Sequence, residues 1–285
     1  MNDYLLAVIL GVVEGLTEFL PVSSTAHIRI AQALLAGQES LHSGYWKMFA
    51  VLIQFPAILA VVVYFRSKII ALVKSFFEGG ITVRKLYTHP LALVAIATAV
   101  TVVPVALAKK LIKGNLESLL VMGIALLVGG IVMWVVDALA RKPKTESLEQ
   151  ITPLQAAWIG AVQVLSAIFP GTSRSMATIA GGQLAGLSRP TALEFSFFLS
   201  IPIMALAFAK DLWDSLKAPP GDPAYIEVPL DASRWIQIGI GSATSFVVAL
   251  AVIAWFMGWV KKRGFVPFAI YRIIVGIALI VWATR

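Results

Sequence analysis

Six stretches of this chain stay apolar for about 18 residues or more, at roughly 45–65, 91–108, 118–139, 191–213, 235–259 and 265–282. A helix of about 20 apolar residues matches the ~30 Å hydrocarbon core of a bilayer, so these stretches predict an all-α polytopic membrane protein. Trp and Tyr near many of their ends suit the membrane interfaces. The balance agrees: 59% of residues are hydrophobic and 13% charged, against about 45–50% and about 25% in soluble domains. A net charge of +8 then orients loops rather than binding nucleic acid. Cysteine is absent, which excludes disulfides and thiolate metal sites. The N-terminus lacks a basic region before its apolar run, and that run contains Glu14 and Glu18, so a cleaved signal peptide is not expected.

Two further apolar stretches are too short to span. One covers 5–20, stops at Pro21 and restarts over 23–35; the other covers 154–169, stops at Pro170 and restarts over 172–184. Pairs of short helices broken by proline predict re-entrant segments, which protein must enclose to satisfy their backbone. His42 and His89 fall between helices and are read as solvated. Glu194 and Arg272 lie inside spans, where snorkelling or a structural pair is expected of each.

The two broken segments resemble each other. At a shift of 149, residues 10–25 ("LGVVEGLTEFLPVSST") lie over 159–174 ("IGAVQVLSAIFPGTSR") with five of sixteen positions identical, among them Pro21/Pro170 and Ser24/Ser173. Phe49 and Pro56 keep the spacing of Phe195 and Pro202. The chain therefore reads as a single membrane domain, 1–285, of two repeats, 1–139 and 150–285. Each repeat has one re-entrant pair and three spans. Three is odd, so the repeats are expected to be inverted, an architecture whose sites lie near the midplane. Loops 66–90, 140–153 and 260–264, with Arg189, carry twelve Lys and Arg; the opposite side carries eight, and its longest loop is net acidic. That asymmetry puts the first face in the cytoplasm and both termini outside.

Chemistry concentrates at the breaks. Ser23, Ser24 and Thr25 open one restarted helix, and Thr172, Ser173, Arg174 and Ser175 the other. Free N–H groups at helix N-termini, hydroxyls and a guanidinium all donate to an anion, and phosphate suits them best. Ser23, Thr25, Thr172, Ser173, Ser175 and Thr178 are the candidate substrate-binding residues. Glu14 and Glu18 share one helix face, where like charges repel, and ionisable groups at membrane depth are costly. A divalent cation, Mg²⁺ or Ca²⁺, held by both and bridging to phosphate would relieve this. The second repeat has Gln163 and Ala167 at those places. His27 completes the candidate catalytic set of Glu14, Glu18, Ser24, His27 and Arg174, with Ser24 or His27 as nucleophile or proton carrier. A transporter or lipid flippase built on the same midplane is the rival reading.

The stretch "EGLTEFLPVSSTAH" (14–27), taken with "PGTSRSMAT" (170–178) and "FVPFAIYR" (265–272), resembles the signature regions of bacterial undecaprenyl-diphosphate phosphatases, also called bacitracin-resistance proteins. The likeness runs the whole chain. It implies a multi-pass hydrolase of the bacterial inner membrane that removes the terminal phosphate of undecaprenyl diphosphate with a divalent cation. That reaction recycles the lipid carrier for peptidoglycan, and with it cell-wall biogenesis and cell shape, and confers bacitracin resistance. Carried over by motif, Glu14 and Glu18 are the acidic pair, Ser24 and His27 the nucleophile or proton-transfer groups, and Arg174 the phosphate-stabilising arginine. The partners implied are a polyprenyl diphosphate lipid and the membrane, with no nucleic acid and with room for a homodimer. Glycine is usual in that family where this chain has Ala26 and Met176.

Overall fold

The computed structural model describes residues 2–107, 118–140, 142–217 and 230–285. In chain order the helices are α1 (Asp3–Thr17), α2 (Ser24–Ala36), α3 (Gly44–Leu52), α4 (Gln54–Tyr64), α5 (Arg66–Phe77), α6 (Val83–Thr88), α7 (Pro90–Leu107), α8 (Leu119–Leu139), α9 (Pro153–Ile168), α10 (Arg174–Leu184), α11 (Arg189–Lys217), α12 (Ala232–Arg263) and α13 (Val266–Ala283). Among the described residues there is no strand, only a single bridge between Thr145 and Leu187. Six segments are long and apolar enough to cross a membrane: α3 with α4, then α7, α8, α11, α12 and α13. They coincide with the six expected spans to within a few residues. The loop at 108–117 and most of the acidic loop at 214–234 lie outside the described residues.

The four helices of the broken pairs are short. α1, α2, α9 and α10 have 15, 13, 16 and 11 residues, or about 16–24 Å at 1.5 Å per residue. α1 packs on α2 and α9 on α10, as two hairpins of half-length helices.

The chain divides into two compact units. The first holds Met1–Phe19, Ser24–Tyr64 and Ser200–Ala254. Its core packs Leu6 and Leu10 of α1, Ile28 of α2, Trp46, Phe49 and Ile53 of the first span and Ile238 of α12. Tyr45 Oη donates to Gln237 Oε1 at 2.7 Å and ties that span to α12. Helix continuity breaks at Ile53, three residues before Pro56: the proline has no N–H for the Leu52 carbonyl and its ring crowds that carbonyl. The Ile53 carbonyl takes a bond from Ser245 Oγ at 2.9 Å instead. Pro202, which keeps the sequence spacing of Pro56, leaves α11 unbroken by contrast.

The second unit holds Leu20–Ser23, Phe65–Leu199 and Trp255–Arg285. Its tightest pair is α8 on α13. There a Cβ on Gly276 would come within 2.9 Å of the Gly123 carbonyl, an approach only small residues permit. Asp137, 1% exposed, joins four segments. It accepts from Arg189 Nε at 2.7 Å, Gln183 Nε2 at 3.0 Å and the Phe265 amide at 3.1 Å. Glu194 pairs with Lys68 at 2.7 Å, the structural pair expected of it. His89 departs from the solvated reading. It is half-buried, edge-on to Phe76 at 5.0 Å, with Nε2 3.0 Å from Ser75 Oγ, because α5 and α6 fold back on each other just before α7.

Candidate active site

In the first unit the acidic residues close α1. Glu18 is its C-cap, and its amide donates to the Glu14 carbonyl at 2.9 Å. The two carboxylates therefore leave the helix one turn apart. Glu14 is 1% exposed and Glu18 half-buried. Ser24, the first residue of α2, donates its hydroxyl to Glu18 Oε2. His27 stands at i+3 from Ser24, on the same face of α2, and is half-buried; Thr25 points outward and is exposed.

The turn between these helices, Leu20–Ser23, belongs to the second unit, and there it meets the other break. Ser173 is the N-cap of α10 and accepts from the Met176 amide at 3.3 Å. Its Oγ lies 3.0 Å from Ser175 Oγ, which donates to the Leu20 carbonyl at 2.9 Å. A line of hydroxyls thus runs from the second break to the first. Arg174 Nη1 donates to the Ser196 carbonyl at 3.4 Å. The Thr178 hydroxyl is engaged behind it, with Ser196 Oγ at 2.6 Å and the Arg174 carbonyl at 3.0 Å. Thr172 lies half-buried on the turn.

Ser23 and Ser173 share an uncommon backbone. Their φ values are 76° and 72°, the only positive φ among the described non-glycine residues. Left-handed backbone at serine costs about 1–3 kcal/mol and gathers at functional sites. Each residue immediately precedes a restarted helix. The first turn takes 18–23 and the second 169–173; their left-handed serines are 150 apart in sequence, whereas Pro21 and Pro170 are 149 apart. Ser24 then stands in its helix where Arg174 stands in the other. The second turn has one residue more between its proline and its serine, so matching the prolines pairs Ser24 with Ser173, and matching the serines pairs it with Arg174.

Arg272 is the residue the sequence reading undervalued. It does not snorkel. It is fully buried, and its guanidinium donates to the Pro21, Gly171 and Ala125 carbonyls at 3.1, 3.2 and 3.1 Å. An arginine seven residues into an apolar span was itself the signal. Beside the second break α8, α9 and α10 enclose an apolar cavity of about 700 Å³, lined by Val128, Trp158, Val162, Leu165 and Ala177 among others, with Thr172 at its wall. Met176 lines it too, and Ala26 is fully buried on α2.

The donor set suits a hard cation held in part by its ligand. No group of three or more His, Cys, Asp or Glu side chains close enough to cage a metal occurs among the described residues. Two carboxylates one helical turn apart, with phosphate oxygens and water supplying the rest, are the usual protein share of a Mg²⁺ site.

Fold and broken helices together define a class: an all-helical, multi-pass membrane protein with acid, hydroxyl and guanidinium groups at two half-length hairpins. The chain belongs to the family described as bacitracin resistance protein BacA, whose model matches residues 7–278. It is 54% identical to a protein of Koribacter versatilis named undecaprenyl-diphosphatase, over all of both chains. It is 41% identical to undecaprenyl-diphosphatase 3 of Acinetobacter baylyi, over 96% of this chain and 95% of that one. An Acinetobacter baumannii protein named undecaprenyl-diphosphatase is 39% identical over 97% of this chain and 94% of that one.

Proposed function

We propose that this chain hydrolyses undecaprenyl diphosphate to undecaprenyl phosphate and inorganic phosphate in the bacterial inner membrane, with both termini on the outer side. The full-length relatives name the substrate, and one contact carries the chemistry: the Ser24 hydroxyl held on the Glu18 carboxylate. In this reading Ser24 Oγ attacks the terminal phosphorus while its proton passes to Glu18. An O–P bond forms, the bridging P–O bond breaks, and undecaprenyl phosphate leaves. His27, one turn along α2, then takes a proton from water as the water oxygen attacks the phosphoserine; the Ser24–phosphorus bond breaks, and Ser24 recovers its proton from Glu18. Arg174 and the N–H groups of the restarted helices neutralise the phosphoryl oxygens. A divalent cation on Glu14 and Glu18 would add Lewis-acid neutralisation of the same oxygens. Ser23, Thr25, Thr172, Ser173 and Ser175 are assigned to orienting the head group, with the first isoprene units in the apolar cavity. Inverted repeats over 1–139 and 150–285 are part of this reading, supported by the paired turns and their left-handed serines.

The test is phosphate release by the purified protein from undecaprenyl diphosphate in detergent, with a trapped phosphoenzyme mapped by peptide. Release that stops with excess EDTA, and label on Ser24, are the expected results. Transfer of the lipid across vesicles with no phosphate released would replace the hydrolase with the flippase.

A further inference from the structure

Arg272 presents a problem in electrostatics. Its guanidinium is fully buried in the middle of a membrane span, and among the described residues no carboxylate pairs with it. Its partners are three carbonyl oxygens. A buried charge without a counter-ion is expensive, and a neutral residue of similar size would avoid that cost. Two of the three acceptors explain the choice. Pro21 and Gly171 each lie two residues before a left-handed serine, in the two turns where the helices break. One planar fork of donors therefore reaches both turns, across 150 residues of sequence. Lysine, a point charge without the fork, could not hold two carbonyls in fixed relation.

We propose that Arg272 is a positioning residue: it clamps the turns at Pro21 and Gly171 together and so fixes where α2 and α10 begin. The clamp has a second effect. Carbonyl oxygens at the ends of α1 and α9 present partial negative charge, which an incoming diphosphate would meet. Bonding them to a cation turns that charge away and leaves N–H groups and hydroxyls to face the anion. The serines' backbone strain is then held by a contact two residues upstream rather than by their own side chains. The catalytic consequence rests on the phosphatase reading above; the clamp does not.

The absence of cysteine makes the clamp measurable on its own. Ser175 Oγ and the Leu20 carbonyl are 2.9 Å apart, so a Leu20→Cys/Ser175→Cys pair reports the approach of the two turns by its rate of disulfide formation in membranes. Arg272→Gln and Arg272→Lys remove the fork directly. Gly129→Ala attacks the same contact from α8, because a Cβ there would overlap Arg272 Nη2. Gly123→Ala is the control: its Cβ would meet Ile280 Cγ1 at 2.9 Å, loosening the same α8–α13 pair at a contact that does not involve the guanidinium.

Cross-linking should slow at least about tenfold in Arg272→Gln, Arg272→Lys and Gly129→Ala. In the cysteine-free chains kcat should fall about 100-fold with KM within about threefold, the signature of misplaced reacting groups rather than lost binding. Gly123→Ala should melt lower yet cross-link and turn over within about threefold of the parent. The clamp is overturned if Gly129→Ala cross-links like the parent, if Gly123→Ala behaves like Arg272→Gln, or if Arg272→Lys restores both readouts, which would leave charge alone as the requirement. Should the parent release no phosphate, the phosphatase reading fails while cross-linking still decides the clamp.

Discussion

A serine hydroxyl becomes a useful nucleophile only when something nearby takes its proton, and Ser24 has Glu18 in that place. Ser24→Ala should lower kcat by at least about 1,000-fold, and Glu18→Gln by a similar factor, because the amide keeps the contact but not the basicity. The double variant should be little worse than either single one, since the two groups act as a unit; additive losses in phosphate release would separate their roles. Thr178 makes a different prediction. Its hydroxyl is shared between Ser196 and the Arg174 carbonyl, and Thr178→Val strands the Ser196 hydroxyl at a buried site. Thermal unfolding in detergent should show a loss of about 1–3 kcal/mol.

At the scale of elements, the α5–α6 hairpin contains a titrating group. Burial, with help from Lys85, holds the His89 imidazole below its ordinary 6.5, and Glu149 opposes the shift. The folded hairpin thus disfavours the protonated ring. Its stability is complete above pH 6.5 and falls as pH drops through the lower folded value. The protection of the Arg66–Phe77 amides, measured against their intrinsic exchange rates at each pH, should fall on acidification through that range, and His89→Asn should flatten the response; unchanged protection would remove His89 as the cause. Helix breaks and spans were legible because proline, hydroxyls and apolar length are local signals. Pro21 and Pro170 marked both turns to within three residues. The extra residue between Pro170 and Ser173 was not legible, since it shows only in the positive φ of Ser23 and Ser173. Nor were the partners of Arg272 and Asp137, which are backbone groups and side chains from distant segments that leave no mark on the chain. The carboxylate pair, Ser24 and His27 could be picked out because polar groups in an apolar stretch need a reason to be there.

For the whole molecule the open quantity is orientation, and charge alone decides it in sequence. In the proposed topology, six spans and two hairpins that do not cross would place both termini on one side. The twelve Lys and Arg of one face against eight on the other put that side outside. The prediction turns on loops rather than helices, because the spans themselves carry few charges and would insert equally well either way. The tip between α5 and α6 holds Glu78 and Gly79, both exposed, between basic helices that include Lys74, Arg84 and Lys85. A single cysteine at Gly79 should be modified by a membrane-impermeant reagent only after cells are opened, whereas one at Thr284 should react in intact cells. The native chain, having no cysteine, gives no background. Moving basic residues should have a graded effect, since about 15–20 residues beside each span carry the orienting charge: replacing Lys261, Lys262 and Arg263 by glutamine narrows twelve against eight to nine against eight, and a mixed population should then appear. Labelling of Gly79→Cys in intact cells of the unaltered background would reverse the assignment. The diphosphate would then have to be hydrolysed from the opposite leaflet.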